Sequence, residues 1–211
     1  MMEVLESEGV EFFDHNRAPF TEVKLDYGHD KEVTGPQKSV MVNPQVLKYE
    51  TLVALNQIKV HETATITMAL KNIAMSFPAA DYYGHPRWQQ KKKHHFFDDM
   101  HSFIAAMAKR FPIALAINVG HPAMIGDGPI GGETFETGLA IGSTDPLAAD
   151  VVGARLLGFK VQAVRHLWEA ARLGIGEHDV EKMEFPGLDL QEAFSIFTQA
   201  AYGKEISLEH A

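Results

Sequence analysis

The chain has 211 residues, of which 45% are hydrophobic and 22% charged, with a formal net charge of −9 and no cysteine. That length suits one large domain, which buries roughly 70% of the surface its unfolded chain exposes, so stability requires neither a disulfide nor a structural metal. The lack of cysteine excludes disulfides, cysteine-ligated iron–sulfur clusters and thiolate nucleophiles in this chain, the acidic balance disfavours nucleic acid as a partner, and no apolar window nears the length of a membrane span.

Met1 to Val10 has no basic region followed by an apolar stretch, so it does not read as a secretory signal. A cysteine-free chain of this kind suits a cytoplasmic location. Residues 1–38 are polar and irregular, with Pro19, Gly28, Gly35 and Pro36, and have room for short edge strands only. A beginning this loose reads as a larger fold lacking an N-terminal part. Residues 39–211 read as a single α/β domain.

Ser39 to Val42 predicts a short strand. Asn43-Pro44 then caps and opens a short helix to about Tyr49. Leu52 to Val60 predicts a second strand. Thr63 to Ser76 predicts a helix with Ile66, Leu70 and Ile73 on one face. Phe96, Met100, Phe103, Ile104 and Met107 predict an amphipathic helix over 95–110, which Pro112 stops. Ile113 to Val119 has the continuous apolar run of a strand buried on both faces. Gly120 to Gly138 reads as a long glycine-rich loop, and Leu139 to Ile141 as a short strand. Asp145-Pro146 opens a helix that Gly158 ends. A further helix carries Val161, Val164, Leu167, Trp168 and Ala171 and closes at Gly174. Met183 to Phe185 predicts a short strand, and Leu190 to Tyr202 a last helix. Strands alternating with helices predict a mainly parallel sheet flanked by helices. Ligands sit at the carboxyl ends of such strands, here the loops after Val60, Val119 and Ile141.

Four groups of residues bear on chemistry. Lys59 and His61 end a strand, and Lys71 and Asn72 follow on the next helix. Histidine serves as acid, base or metal ligand near neutral pH, and lysine holds an anion or acts as a nucleophile. Thr63 or Thr65 would cap that helix, whose N-terminus favours an anion. The plain alternative is a capped helix with a surface lysine and a hydrogen-bonded histidine. Gly126-Asp127-Gly128-Pro129-Ile130-Gly131-Gly132 lacks the Gly-Lys-Ser/Thr ending of a phosphate loop and the spacing of a dinucleotide fingerprint. It is either a backbone cradle for a ligand or a plain connection. Ser143-Thr144-Asp145 is either an anion contact or an ordinary helix cap. His85, His94, His95 and His101 lie near Asp98 and Asp99 and read as exposed pairs or as ligands of a divalent metal. The basic run Lys91 to His95 reads as solvated.

Several of these segments together resemble the family catalogued as domain of unknown function 362. The carriers are Lys59-Val60-His61, Thr67-Met68-Ala69-Leu70-Lys71-Asn72, Gly126-Asp127-Gly128-Pro129, and Gly142 to Asp150 followed by Ala154-Arg155-Leu156-Leu157-Gly158. The resemblance runs from about Ser39 to Gly187. It departs at Asn56 and Gln57, where the family has proline and a further lysine, at Asn118, near a usual aspartate, and at Ile125, where a glutamate usually precedes the glycine turn. Larger members carry ferredoxin-like cysteine clusters and a longer N-terminal region, so the resemblance implies that any electron transfer here needs a partner protein.

The chain also bears a fainter resemblance to the nickel-dependent lactate racemase family, on His61, Lys71 and His85. That resemblance implies a lysine anchoring a nickel-pincer nucleotide and histidines that bind nickel or move protons. The combined expectation is a small-molecule or cofactor-binding α/β enzyme of unknown reaction, with His61 and Lys71 catalytic and His61 and His85 as metal ligands. Lys59, Asn72, Gly126, Asp127, Gly128, Ser143, Thr144 and Asp145 would hold an anionic ligand. The rival expectation is a non-catalytic subunit that docks on a redox or metal-handling protein.

Overall fold

Residues 2–28, 38–84 and 99–207 are described by a computed structural model. In chain order they form α1 (Met2–Ser7), β1 (Thr21–Lys24), β2 (Ser39–Val42), β3 (Val53–His61), β4 (Thr65–Thr67), α2 (Ala69–Ser76), α3 (Ala80–Tyr83), α4 (Met100–Arg110), β5 (Leu115–Ile125), β6 (Glu133–Phe135), β7 (Ala140–Ser143), α5 (Pro146–Leu156), α6 (Arg165–Arg172) and α7 (Leu190–Tyr202). Short 3-10 turns lie at Pro44–Leu47, Val161–Ala163 and Val180–Lys182. No helix among the described residues is long and apolar enough to cross a membrane.

The main sheet has the order β4-β3-β5-β6, with β7 also paired to β5. β3 and β5 run parallel from Val53 opposite Leu115 to Gln57 opposite Val119. β4, β6 and β7 each run antiparallel to their neighbour. The α/β composition stands, but the mainly parallel sheet is corrected to a mixed one: β3–β5 is the one parallel pair among the described strands. The cause is the connection. A parallel return needs a crossover of a dozen or more residues, usually helical. Between Ile125 and Ala140 the chain makes only a glycine turn and β6, and it comes back antiparallel.

Other boundaries also differ from expectation. β5 does not stop at Val119. It bulges, since β3 advances from Gln57 to Lys59 while β5 advances from Val119 to Met124, and then runs on to Ile125. Its first half alternates buried and half-buried residues, so one face is covered rather than two. The stretch from Thr63 is not one helix: the β-branched run Thr65-Ile66-Thr67 pairs with Lys59 to His61 as a hairpin, and the helix starts at Ala69. Met183 to Phe185 forms no strand. The predicted residues 95–98 of the α4 helix lie outside the described residues.

α2 packs on β3, α5 packs on β5 and β7, and α4 and α6 lie over that pair of helices. Ala54, Asn56 and Ile58 of β3, with Ala116 and Asn118 of β5, are buried beneath them. The opposite face leaves Val53 52% and Leu55 67% exposed. The N-terminal segment joins this body through β1, which pairs antiparallel with β2, Thr21 opposite Val42. Asn16 accepts from the Asp81 and Ala80 backbone amides, which fixes residues 12–16 beside the start of α3.

One buried carboxylate sets the position of α2. Its N-cap Met68 has no side-chain cap, and the role expected of Thr63 or Thr65 belongs to Asp150 of α5. The Asp150 oxygens accept from Ala69 N and Leu70 N, each at 2.9 Å, and Oδ1 also accepts from Asn118 Nδ2 at 2.9 Å. The chain of bonds continues outward: Asn56 Nδ2 donates to Asn118 Oδ1 at 3.1 Å, and Asn72 Nδ2 donates to Asn56 Oδ1 at 2.6 Å. It thereby ties α2 to β3, β5 and α5. Burial pushes the Asp150 carboxyl up to about 6, against the N–H donors that favour its ionised form. An Asp150→Asn variant turns an amide N–H toward a backbone N–H and strands one donor. We expect it to lose about 2–3 kcal/mol of stability. Urea unfolding at pH 7.5 measures this; an unchanged midpoint would show that α2 is held otherwise.

Candidate functional site

Three helices turn their first residues toward the carboxyl end of β3. Lys71 is the third residue of α2, His101 the second of α4 and His166 the second of α6. His61 is the last residue of β3. The turn after it holds Thr65 at φ +66°, the one non-glycine positive φ among the described residues. A β-branched residue there is strained, and strain of this kind gathers at functional turns.

His61 Nδ1 accepts from the backbone N–H of Thr63 at 3.1 Å and of Ala64 at 3.3 Å. Those two donors fix the proton on Nε2. Burial, then the charges of Lys71 and Lys59, push the imidazole down to about 4. At neutral pH His61 is thus an uncharged ring presenting one N–H donor. His166 is fully buried, and neither of its ring nitrogens has a hydrogen-bond partner. Burial, then His101, Lys71 and His61, push it down to about 3. His101 stacks on it, with ring centroids 5.6 Å apart and planes 24° apart, and its buried Nδ1 is likewise unpartnered. Burial and then Arg165 lower the His101 pKa, while Asp99 and a hydrogen bond to the Thr63 backbone act the other way. Thr63 thereby joins both rings. Asp99, which caps α4, binds Arg165 at 3.0 Å on the rim.

Lys71 is only 8% exposed. It also lines a cleft of about 440 Å³ between α2 and residues 12–16, where Thr67 brings a buried hydroxyl without a partner. The cluster is therefore rich in neutral imidazoles and carries the cations Lys71 and Lys59. In a chain of net charge −9, that local balance favours an anion.

The glycine turn meets the same end of the sheet. Glu62 N donates to Gly128 O at 3.0 Å, and a Cβ at Gly128 would run into the Val60 carbonyl. Gly126, at φ +75°, starts the turn, and Asp127 is exposed on it. Lys59, His61, Lys71 and the turn from Gly126 to Gly128 are thus neighbours. Asn72 faces Asn56 and serves the bonds that hold α2.

Ser143, Thr144 and Asp145 lie elsewhere. Ser143 pairs with Ala116, which pairs with Ala54, seven residues before His61 on β3. At about 3.3 Å per residue that separation is about 23 Å. Asp145 acts there as a cap, accepting from Ala148 N at 3.0 Å and Glu177 N at 2.7 Å, while Ser143 Oγ accepts from Asp145 N. Gly176 lets its backbone lie against the Asp145 carboxylate.

His85, His94, His95 and Asp98 lie outside the described residues. Among the described ones, no three histidine, aspartate or glutamate side chains gather as a metal-holding group. His61, with Nδ1 held by two amides and Nε2 protonated, does not fit a metal ligand or a nickel-pincer site. Sequence reasoning missed His166. The pattern that could have marked it is its place four residues before buried Ala170, on the face that also buries Leu167.

A family model described as Domain of unknown function (DUF362) matches residues 1–155. It starts before the expected Ser39 and stops short of α6, and the fainter likeness to the racemases gains no support from it. No curated protein and no solved structure matches the chain.

A buried imidazole with two unpartnered nitrogens costs stability. His166→Leu removes that cost, so we expect a gain of roughly 1–2 kcal/mol at pH 7.5. The gain should grow in acid. The unfolded histidine takes up a proton below about 6.5 and the native one does not until about 3, so falling pH favours the unfolded wild type but not the unfolded variant. The shift of Asp150 is common to both chains and cancels. Urea unfolding of both proteins at pH 7.5 and 5.0 checks this. A variant less stable than wild type at both values would mean that His166 is satisfied in solution.

Proposed function

The chain belongs to the DUF362 family, whose description assigns no chemistry, and from its own side chains we propose that it binds a small anionic molecule, a carboxylate or phosphate, as a small-molecule or cofactor-binding enzyme. The observation that carries this reading is fully buried His166, unpartnered at both ring nitrogens beside Lys71 and His61. Lys71 supplies the charge, and His61 supplies an Nε2–H donor whose direction two backbone amides fix. An anion between them takes up hydrogen-bonding capacity that the fold leaves inside the protein. His166, kept neutral, offers the bound molecule one N–H donor and one nitrogen lone pair as hydrogen-bond partners. The glycine turn at Gly126 to Gly128 closes the side nearest His61.

Calorimetric titration with inorganic phosphate and with acetate tests the reading. We expect saturable binding that Lys71→Met weakens by about tenfold or more, the loss typical of removing one charged hydrogen bond. Because His61 and His166 sit at about 4 and 3, neither changes charge between pH 5.5 and 8. Asp150, at about 6, titrates below pH 7 and holds the helix that carries Lys71, so acetate affinity should stay flat from pH 7 to 8 and change only as pH falls through about 6. Equal binding by the Lys71→Met chain, or an acetate affinity that collapses as pH rises through 6.5, would sink it.

A further inference from the structure

A second feature lies at the opposite end of the sheet and is independent of the anion site. β7 pairs with β5 on one side, and among the described strands none lies on its other side. Gly120 N donates to Leu139 O at 2.9 Å, which points that carbonyl toward β5. The alternation of an antiparallel ladder then turns Ile141 and Ser143 inward and directs the N–H and C=O of Ala140 and Gly142 outward. Both residues are exposed.

This free edge forms one wall of a groove of about 650 Å³. Ala149 and Val152 of α5, Met183 and Phe185 of the loop before α7, and Leu190 and Ala193 of α7 supply the other walls. The dimensions and apolar lining suit a ligand of several residues. The groove also meets every residue from Gly138 to Ser143, so its wall is backbone rather than a row of alternate side chains. An occupant must therefore complete main-chain hydrogen bonds and also fill apolar space. Small residues at Ala140, Gly142 and Ala149 leave room for its side chains. Glu177 and Glu184 on the rim, against the single cation Lys182, favour a basic residue at its end. The loop and α7 walls come from residues beyond Arg155, where the family match stops.

We propose that this groove docks an extended apolar segment of a partner protein, with a basic flank, which adds as a strand to the edge of β7. Such strand addition draws affinity from main-chain bonds and specificity from alternate side-chain pockets.

The test uses the intact chain and a fluorescein-labelled heptapeptide, Lys-Val-Ala-Val-Ala-Val-Lys. Saturable binding is expected, with amide hydrogen exchange at Ala140 and Gly142 slowed by about tenfold or more. The same peptide N-methylated at alternate amides, which cannot complete the ladder, should bind at least about tenfold more weakly. Gly142→Pro, which removes one outward N–H without touching the β5 ladder, should weaken binding likewise, while Lys71→Met leaves it unchanged. If Gly142→Pro does not fold, the methylated peptide decides with the unaltered chain. The proposal is overturned by no saturable binding, by binding indifferent to N-methylation, or by binding without protection at Ala140 and Gly142. Protection at those amides that rises with protein concentration in the absence of peptide would overturn it in favour of a second copy.

Discussion

The carboxylate of Asp150 is the point on which the arrangement of this protein turns. A short helix leaves its first N–H groups without partners, and α2 begins at a methionine that offers no cap. Asp150 reaches from α5 to take two of those N–H groups, with no water between. It thereby decides which way α2 points and where Lys71 stands. The amides of Asn118, Asn56 and Asn72 extend this single constraint across two strands and back to the same helix. Asn118 and Asn56 each donate to one neighbour and accept from the other, and Asn72 donates at the outer end, so direction is conserved along the row. An aspartate at 118, which the family resemblance would place near there, could not donate to Asp150. Two carboxylates would meet there and share a proton. Asn118 instead lets Asp150 keep its charge at the helix end.

The reversal of β7 has the larger consequence for function. A parallel β7 would have brought Ser143 to Asp145 to the end where His61 lies. The antiparallel strand carries them to the other end, where they cap α5 and hold the loop at Gly176 and Glu177. The protein is left with two unlike places. One is a polar cluster at three helix starts, and the other is an apolar groove beside a strand edge.

Much of the fold was legible because periodicity reports burial. β2, β3, α5 and α7 fell where alternation or helical spacing put them, and Asn43 and Asp145 capped as their side chains suggest. Strand direction was not legible in the same way. It depends on the connection, and the helix-free stretch from Gly126 to Ala140 was the available sign that no parallel crossover could form. β4 was hidden because Ile66, Leu70 and Ile73 also satisfy a helical period. At the site, His61, Lys71 and the Gly128 turn could be singled out by residue type and place. His166 was harder to find, because its one sign was its place on the face of α6 that buries Leu167 and Ala170, and spacing marks a face without saying how deep it lies.

The buried histidines show why a site of this kind is visible to physics before its ligand is known. A core selected for stability alone would place an apolar side chain at position 166, where neither ring nitrogen is satisfied. Keeping His101 and His166 neutral requires burial, and keeping them beside Lys71 requires that they not be charged, since three cations in one dry space would repel. The two conditions reinforce each other: the Lys71 charge helps lower the His166 pKa and the Arg165 charge that of His101, and the neutral rings spare the lysine from repulsion. What results is a cluster with the charges of Lys71 and Lys59, a fixed donor on His61 and unpartnered ring nitrogens on His101 and His166. A cluster of that composition, built at a cost to the fold, is the basis of the proposed anion site.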